Sequence, residues 1–358
     1  MTHAYLVLAH HQPKLLARLV DRLLGDDAHV FLHVDRRAGI EPFREALVRT
    51  ANPWLHHLHF AEDRRKVAYF GFSTVEATLS LMRQAAGFGR FRYHSLLSGV
   101  DYPIKSRSHI RDVFENSDTE YITYWKLEDR PSWQHKVEHY FLTDLIPIRD
   151  LRRPRLRRFW KVGDFLRFHY WKAFYRYRDR FPKRKLPFDG LVPYGGSQWW
   201  SLTHDCVRYV LDHVAEHPEL VRFYRFTECP DELFFHTIIM NSPFAPRAAN
   251  YELYQAWSSG TPAQEKTDQT RLPEGSFNLR YIDWTGPYGG ERGYPYILDE
   301  RDLPRLRETE CIFARKFDTV RSAGLLGRID DELLNLRAAR RDAEMTGSGD
   351  ARQPDVSR

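Results

Sequence analysis

The stretch Ala4–Asp35, AYLVLAHHQPKLLARLVDRLLGDDAHVFLHVD, decides the fold. It opens with a continuous apolar run to His10, as expected of a strand that is buried in a parallel sheet. The segment from Pro13 has helical spacing and stops at Gly25, a residue type that favours a helix end. A second apolar run, His29–Asp35, predicts another buried strand. A strand, a helix and a strand within about thirty residues form a βαβ unit, and ligands bind at the carboxyl ends of such strands.

The same alternation continues along the first half of the chain. Ser73–Phe88 is predicted to be a helix, with Ser73 as its N-cap and Glu76 three residues later, the pattern of a capping box. Tyr93–Gly99 and Glu120–Trp125 are predicted to be further strands. No G-x-G-x-x-G follows the first strand, so the dinucleotide-binding fingerprint is absent. The sequence therefore predicts an α/β fold.

Composition narrows the function classes only slightly. The 358 residues are 42% hydrophobic and carry a formal net charge of +6, which is compatible with phosphate-bearing ligands, nucleic acid or an anionic membrane surface. The three cysteines form no C-x-x-C pair, which argues against a disulfide framework or a zinc site and favours free thiols in a reducing compartment. The first apolar run is too short for a signal peptide or a transmembrane helix. We therefore expect a cytoplasmic protein, with peripheral contact at the inner face of the cell membrane as an alternative.

An acidic pair, Asp231 and Glu232, stands at the head of the apolar stretch Phe226–Pro243, FTECPDELFFHTIIMNSP. Pro230 suits the first turn of a helix, where its missing N–H costs nothing. Carboxylates in that turn favour the positive end of the helix dipole. Local pattern alone therefore indicates helix capping, and the rest of the chain must decide whether either acid has a chemical role.

Seven segments in one order resemble a known family. They are AYLVLAHHQP, VFLHVD, YHSLLSGVDYPIKS, GGSQWWSLTHD, CPDELFFHTII, NLRYIDW and FARKFD, which together span roughly residues 3 to 320. The set resembles the core-2/I-branching β-1,6-N-acetylglucosaminyltransferases and peptide O-xylosyltransferases of glycosyltransferase family 14. The resemblance implies an A-type glycosyltransferase fold, with a Rossmann-like, mostly parallel central sheet flanked by helices. We therefore expect a single glycosyltransferase domain over residues 1–328 and a disordered tail over 329–358.

The resemblance also implies an inverting transfer from a UDP-sugar, with GlcNAc expected first and xylose as the alternative. The family's catalytic base is matched by Glu232, which leaves Asp231 as a cap. Basic residues that stabilise the departing diphosphate are matched by Arg280 and Lys316. The sequence contains no D-x-D, in agreement with a family that needs no metal, and we expect no cofactor beyond the UDP-sugar co-substrate. Without the family, Arg280 would be interpreted as a salt-bridged strand residue and Lys316 as a surface charge.

Further ligand contacts are expected in two groups. Near the donor nucleotide and sugar we expect His10, His11, Asp35, Ser98, Gly99 and Asp101. A core role is the alternative for His11, and a plain turn is the alternative for Gly99. Near the acceptor we expect Trp199, Trp200, Glu128, Lys136 and Trp257. Core packing is the alternative for one of the two tryptophans, because a strand alternates its faces, and a solvated helix face is the alternative for Glu128 and Lys136.

Residues 149–187 form an insertion that the family does not match, with arginines and aromatic residues interleaved. The composition fits an amphipathic helical hairpin that packs its aromatic side chains on the domain. Contact with a membrane or glycolipid and binding of nucleic acid are the alternatives. The expected partners are the UDP-sugar and a glycan or glycolipid acceptor, and no nucleic acid. A non-catalytic protein of the same fold that binds glycan or membrane is the rival from another class.

Overall fold

The computed structural model describes residues 3–147, 162–260, 277–284 and 295–336. The chain divides into two compact units: the first comprises residues 1–99 and 114–279, and the second comprises residues 100–113 and 280–358. The prediction of one domain over residues 1–328 did not anticipate this division. Among the described residues, no helix is both long enough and apolar enough to cross a membrane.

The first unit is built on a six-stranded sheet with the order β3-β2-β1-β4-β7-β6. Its strands are β1 (His3–Ala9), β2 (Ala28–Val34), β3 (Leu58–Phe60), β4 (Tyr93–Ser98), β6 (Tyr121–Lys126) and β7 (Tyr194–Thr203). β1 pairs in parallel with β2 and β4, and β2 pairs in parallel with β3. β7 lies antiparallel between β4 and β6. The predicted α/β fold with a mostly parallel central sheet is thereby confirmed.

Helices cover this sheet. They are α1 (Pro13–Leu23), α2 (Glu41–Val48), α3 (Ser73–Phe88), α5 (Pro131–Glu138), α6 (Val162–Tyr177), α7 (His204–Glu216), α8 (Pro218–Tyr224), α9 (Phe234–Met240) and α10 (Tyr251–Gly260), while α4 (Arg107–Glu115) crosses the boundary between the units. α1 packs on β2 and α2, and α3 packs on β1 and β2. β1 and β2 are almost wholly buried, which explains why their sequences are continuous apolar runs without alternation.

The second unit holds a three-stranded sheet with the order β5-β9-β8, made of β5 (Asp101–Pro103), β8 (Arg280–Ile282) and β9 (Phe313–Arg315). α11 (Leu303–Glu308) and α12 (Ala323–Arg328) belong to the same unit, and a π-helical turn, Ile329–Leu333, continues α12. Ile329 has no accessible surface, and the hydroxyl of Tyr102 donates to the buried carboxylate of Asp330 at 2.7 Å. The tail predicted from residue 329 therefore begins too early, while residues 337–358 lie outside the described residues.

Candidate active site

The acidic pair lies in a turn of its own and not in the first turn of a long helix. Pro230–Glu232 is a single 3-10 turn, and α9 begins at Phe234. Cys229, just before the turn, has a left-handed backbone with φ of 50°. The N–H of Glu232 donates to the carbonyl of Cys229 at 3.0 Å, and the N–H of Cys229 donates to that of Phe70 at 3.2 Å. The predicted helix start is thus displaced by about one turn, and Glu232 lies in the separate turn that precedes the buried α9.

Lys136 of α5 is the counter-ion of Glu232. Its Nζ lies 3.1 Å from Oε2 of Glu232 and 3.7 Å from the ring centroid of Trp133. The lysine side chain is 11% exposed and that of the glutamate 32%. Burial opposes the charged form, but the neighbouring Glu232, Cys229 and Glu228 outweigh it and raise the pKa of Lys136 above its ordinary value. The solvated helix face considered for Lys136 is therefore wrong, and the carboxylate of Glu232 is held by a fixed, buried cation.

Asp231 differs from its neighbour because it is poorly stabilised as an anion. Its Oδ1 is buried and has no hydrogen-bond partner among the described residues. Burial first, and then the charge of Glu232, raise the pKa of Asp231 to about 7. α9 itself has no side-chain cap hydrogen bond at its described N-terminus. The two adjacent carboxyl groups thus have different environments, and within the described part of the chain it is Glu232 that forms an ion pair with a buried lysine.

A third carboxylate, Glu228, was missed by the sequence analysis. Its Oε2 lies 3.0 Å from Nε2 of His135, and its Oε1 accepts a hydrogen bond from the hydroxyl of Tyr175 on α6. Burial raises the pKa of Glu228, but the hydrogen bonds from His135 and Tyr175 and the charge of Lys136 outweigh it and lower the pKa below its ordinary value. No local signal marks Glu228, because its partners are distant in sequence.

The strand-end residues predicted for the donor do lie at one edge of the sheet. His10 and His11 follow β1 and are exposed, with ring centroids 4.2 Å apart. Asp35 follows β2 and is buried. Its Oδ1 accepts from the N–H of Arg37 at 2.7 Å and its Oδ2 lies 2.8 Å from the Arg37 guanidinium. Its Oδ2 also accepts from the N–H of Val67 at 3.2 Å, so a donor ligand would have to compete for this carboxylate.

The segment after β4 fits the turn alternative better than ligand contact. Ser98 is partly exposed. A Cβ at Gly99 would lie 3.0 Å from that of Ala9, so the tight packing against β1 by itself favours a glycine there. Asp101, in the second unit, has no accessible surface, and its Oδ1 lies 3.6 Å from the guanidinium of Arg315. The carboxylate of Asp101 is thus enclosed beside Arg315, and its contact with the donor stays a prediction.

The residues predicted for the acceptor differ in how much of their surface is exposed. Trp200 has no accessible surface and packs near Phe235 with ring centroids 5.9 Å apart, which favours the core-packing alternative for this member of the pair. Trp199 keeps 8% of its surface. Trp257 is partly exposed on α10. Glu128 is solvated, as its alternative states, and pairs with Lys126 at 3.5 Å.

The two cations predicted for the diphosphate belong to the second unit. Arg280 begins β8 and is buried, with its guanidinium 5.1 Å from the ring centroid of Phe313. Lys316 follows β9 and is partly buried, so it is not a fully solvated surface charge. β8 and β9 are parallel neighbours, and Arg280 lies opposite Phe313 in their register. Within the described residues, no group of three or more His, Cys, Asp or Glu side chains is placed to hold a metal ion.

Comparison with known proteins gives one family. The model of the family described as "Core-2/I-Branching enzyme" matches residues 3–307. Xylosyltransferase 1 of Rattus norvegicus is 22% identical over 349 residues, with 92% of this chain and 35% of the relative covered. Xylosyltransferase 1 of Homo sapiens is 22% identical, with 91% and 30% covered, and xylosyltransferase 2 of Rattus norvegicus is 24% identical, with 92% and 33% covered. The chain thus spans about a third of the length of these relatives.

Proposed function

Because the chain belongs to the Core-2/I-Branching enzyme family, we propose that it is a glycosyltransferase that moves a sugar from a UDP-sugar to an acceptor hydroxyl with inversion. The observation that carries the proposal is the carboxylate of Glu232, which is partly exposed and held 3.1 Å from the buried Lys136. A single ionised, oriented carboxylate is what an inverting transfer requires of its base. A retaining enzyme with a covalent intermediate would need a second carboxylate as nucleophile.

The proposed reaction uses the side chains as follows. The acceptor oxygen attacks the anomeric carbon of the donor, and Glu232 takes the proton of the acceptor hydroxyl. The bond between the anomeric carbon and the diphosphate breaks, and its electron pair leaves with UDP. Arg280 and Lys316 stabilise the charge that develops on the diphosphate. Two protein cations in this role would make a divalent metal unnecessary, in keeping with the missing D-x-D.

Two donor sugars are the main candidates. We propose UDP-GlcNAc first and UDP-xylose second, the latter supported by the relatives that are named xylosyltransferases. Thermal unfolding with UDP, UDP-GlcNAc, UDP-xylose and UDP-glucose, each with and without EDTA, distinguishes them. Stabilisation by a UDP-sugar that survives EDTA supports the metal-free transfer. A response to glycan alone would favour the non-catalytic glycan-binding alternative.

Substitution Glu232→Gln tests the base. Because the amide cannot take the acceptor's proton, we expect the transfer rate to fall by about 10²- to 10⁴-fold. The dissociation constant of UDP should stay within about twofold, since one uncharged substitution at the base removes no proposed contact to the diphosphate. The measurements are initial rates of sugar transfer and calorimetric titration with UDP.

Glu216→Gln is the matched control, because it changes an exposed carboxylate at the end of α7 in the same unit. It should transfer at the wild-type rate. A Glu232→Gln variant with full activity would refute the assignment of the base.

The acceptor is proposed as a glycan or glycolipid. We also propose a cytoplasmic enzyme that touches the membrane peripherally through residues 149–187, of which Val162–Tyr177 is a described helix. No nucleic acid is proposed as a partner. The arginines at 152, 153, 157 and 158, on which the membrane interpretation of the sequence relied, lie outside the described residues.

A further inference from the structure

The insertion helix α6 reaches the loop of the candidate base through one polar side chain. The hydroxyl of Tyr175 donates to Oε1 of Glu228, four residues before Glu232. Around this bond the contact is aromatic: the ring centroid of Phe141 lies 6.2 Å from that of Tyr175 and 6.4 Å from that of Trp171. The insertion is thus attached to the first unit beside the proposed active site.

We propose that Tyr175 is a positioning residue of the transfer, which acts through Glu228 to hold the loop 228–232 in the geometry that presents Glu232. The inference rests on the proposed function, because it assumes that Glu232 is the base. It goes further by giving the insertion a role in catalysis that none of the comparisons assigns.

The backbone of this loop needs an external anchor. Cys229 is left-handed, a conformation that residues other than glycine seldom adopt, so surrounding contacts must maintain it. Backbone contacts to its neighbours are modest: the N–H of Glu228 donates to the carbonyl of Lys136 at 3.4 Å and that of Cys229 donates to Phe70 at 3.2 Å. The side chain of Glu228, fixed at both oxygens, is the stronger anchor.

The anchor depends on the ionised state of Glu228. The titratable groups that interact with it are His135 and Lys136 from α5, Tyr175 from the insertion and Cys229 from its own loop. Three further charged groups act on these neighbours: Arg178 on Tyr175, and Asp231 and Glu232 on Cys229. Burial favours the protonated carboxyl, and the hydrogen bonds from His135 and Tyr175 reverse that preference and lower the pKa of Glu228. Removal of the Tyr175 hydroxyl must therefore raise this pKa, so that the anchor weakens at a higher pH.

The test is the pH profile of kcat/KM for wild type, Tyr175→Phe and Tyr177→Phe. We expect the acid limb of Tyr175→Phe to lie roughly one pH unit higher, since loss of one donor to a buried carboxylate shifts its pKa by about that amount. Activity should be about tenfold lower on that limb and within about twofold of wild type above about pH 8, with the KM for donor unchanged. Tyr177 is exposed on the same helix and should give the wild-type profile.

A second variant, Glu228→Gln, tests the same anchor in the same pH-profile experiment. The amide imitates the protonated carboxyl, so this variant should be slow at every pH and should not recover in alkali. A Tyr175→Phe variant with the wild-type profile would overturn the proposal, and so would one that is slower by the same factor at every pH.

Failure of the proposed function would give a different experimental result from failure of the Tyr175 proposal. A wild-type protein that transfers no sugar from any donor contradicts the transferase itself, whatever Tyr175 does. The link to Glu228 is then judged by the unfolding temperature of wild type and Tyr175→Phe. Because the hydroxyl lowers the pKa of Glu228, its contribution is present at neutral pH and is lost as pH falls through the folded-state pKa. If the difference in unfolding temperature between wild type and Tyr175→Phe did not narrow as the pH falls, the interaction of Tyr175 with Glu228 would be refuted.

Discussion

Lys136 is a buried cation with more than one anionic neighbour. Its Nζ is 3.1 Å from Glu232, and Glu228 and Cys229 also act on it. An ammonium group is expensive to bury, so its attraction to these groups must offset the lost hydration. Removing the cation would leave Glu232 without its counter-ion, while Glu228 would keep its hydrogen bonds to His135 and Tyr175. The loss should matter most where the carboxylates are ionised.

Lys136→Met keeps most of the side-chain length and removes the charge. We expect the free energy of unfolding to fall by about 2 kcal/mol at pH 8, less than for a fully buried pair because Glu232 is a third exposed. The deficit should shrink toward pH 5, since Asp231, with a pKa of about 7, then carries a proton and repulsion is relieved. Urea unfolding at the two pH values measures both effects.

Lys126→Met is the matched control, since Lys126 pairs at 3.5 Å with a Glu128 side chain that is 67% exposed. A solvated pair contributes less than about 1 kcal/mol, so this variant should stay near wild type. Equal losses in the two variants would contradict the buried ion pair.

These residues show which parts of the candidate site local sequence pattern cannot predict. Glu232 was identified through the resemblance and not through its own spacing, because an acid before an apolar run equally predicts a cap. Glu228 and Tyr175 were not found at all, since their partners lie 93 and 53 positions away in the chain. The sequence also did not reveal that the side chains of Asp101 and Trp200 are enclosed by their neighbours.

At the scale of elements, the N-terminus of α3 has a cap that differs from the one predicted from the sequence. The capping box predicted from Ser73 and Glu76 is wrong. Asp144 instead accepts from the N–H of Phe72 at 2.8 Å and from the hydroxyl of Ser73 at 2.6 Å, while Glu76 pairs with Arg65 at 3.1 Å. The helix itself was predicted with its observed bounds. The cap comes from a residue some seventy positions away, beyond any local rule.

At Gly196, β7 closely approaches both β6 and α9, and a substitution there tests this packing. A Cβ at this position of β7 would overlap the carbonyl of Thr123 at the irregular pairing with β6 and would lie 2.5 Å from the ring of His236 on α9. Gly196→Ala must therefore move a strand backbone or a buried ring, and we expect a loss of about 3 kcal/mol in the free energy of unfolding. The measurement is the urea midpoint of the purified variant.

Gly87→Ala makes the same chemical change where nothing lies within 4 Å of the added Cβ, on an exposed turn of α3. Alanine in a helix is favoured over glycine, so this variant should be unchanged or stabilised by up to about 1 kcal/mol. If the two variants unfolded at the same urea concentration, the close approach at Gly196 would be disproved.

At the scale of the whole molecule, the strands that were predicted correctly came mostly from long apolar runs in the sequence. β1, β2 and β4 were anticipated because strands in the interior of a parallel sheet are apolar throughout. β3 was missed because three residues are too few to establish a period. The division into two units also escaped the sequence, since the second unit is assembled from two stretches, 100–113 and 280–358, that are far apart in the chain.

The outer face of α6 is a described surface on which the proposed membrane contact can be tested. Its first turns expose Val162, Phe165 and Leu166, at 78%, 53% and 62% of their surface. The later turns of the same face expose Lys172 and Arg176. Apolar side chains followed by cations are the arrangement by which an interfacial helix inserts between lipids and contacts anionic headgroups.

Co-sedimentation with vesicles tests this face in the whole protein. We expect binding to phosphatidylglycerol vesicles and weak binding to phosphatidylcholine, because each cation near an anionic surface contributes about 1 kcal/mol. Phe165→Ser with Leu166→Ser should weaken binding at least tenfold, since each buried apolar side chain contributes about 1.5–3 kcal/mol. Leu253→Ser, at a 52% exposed leucine on α10, is the control and should bind as wild type does. Equal binding by the double variant would show that lipid contacts lie elsewhere on the chain, and binding to oligonucleotide but not to vesicles would restore the nucleic-acid alternative for the insertion.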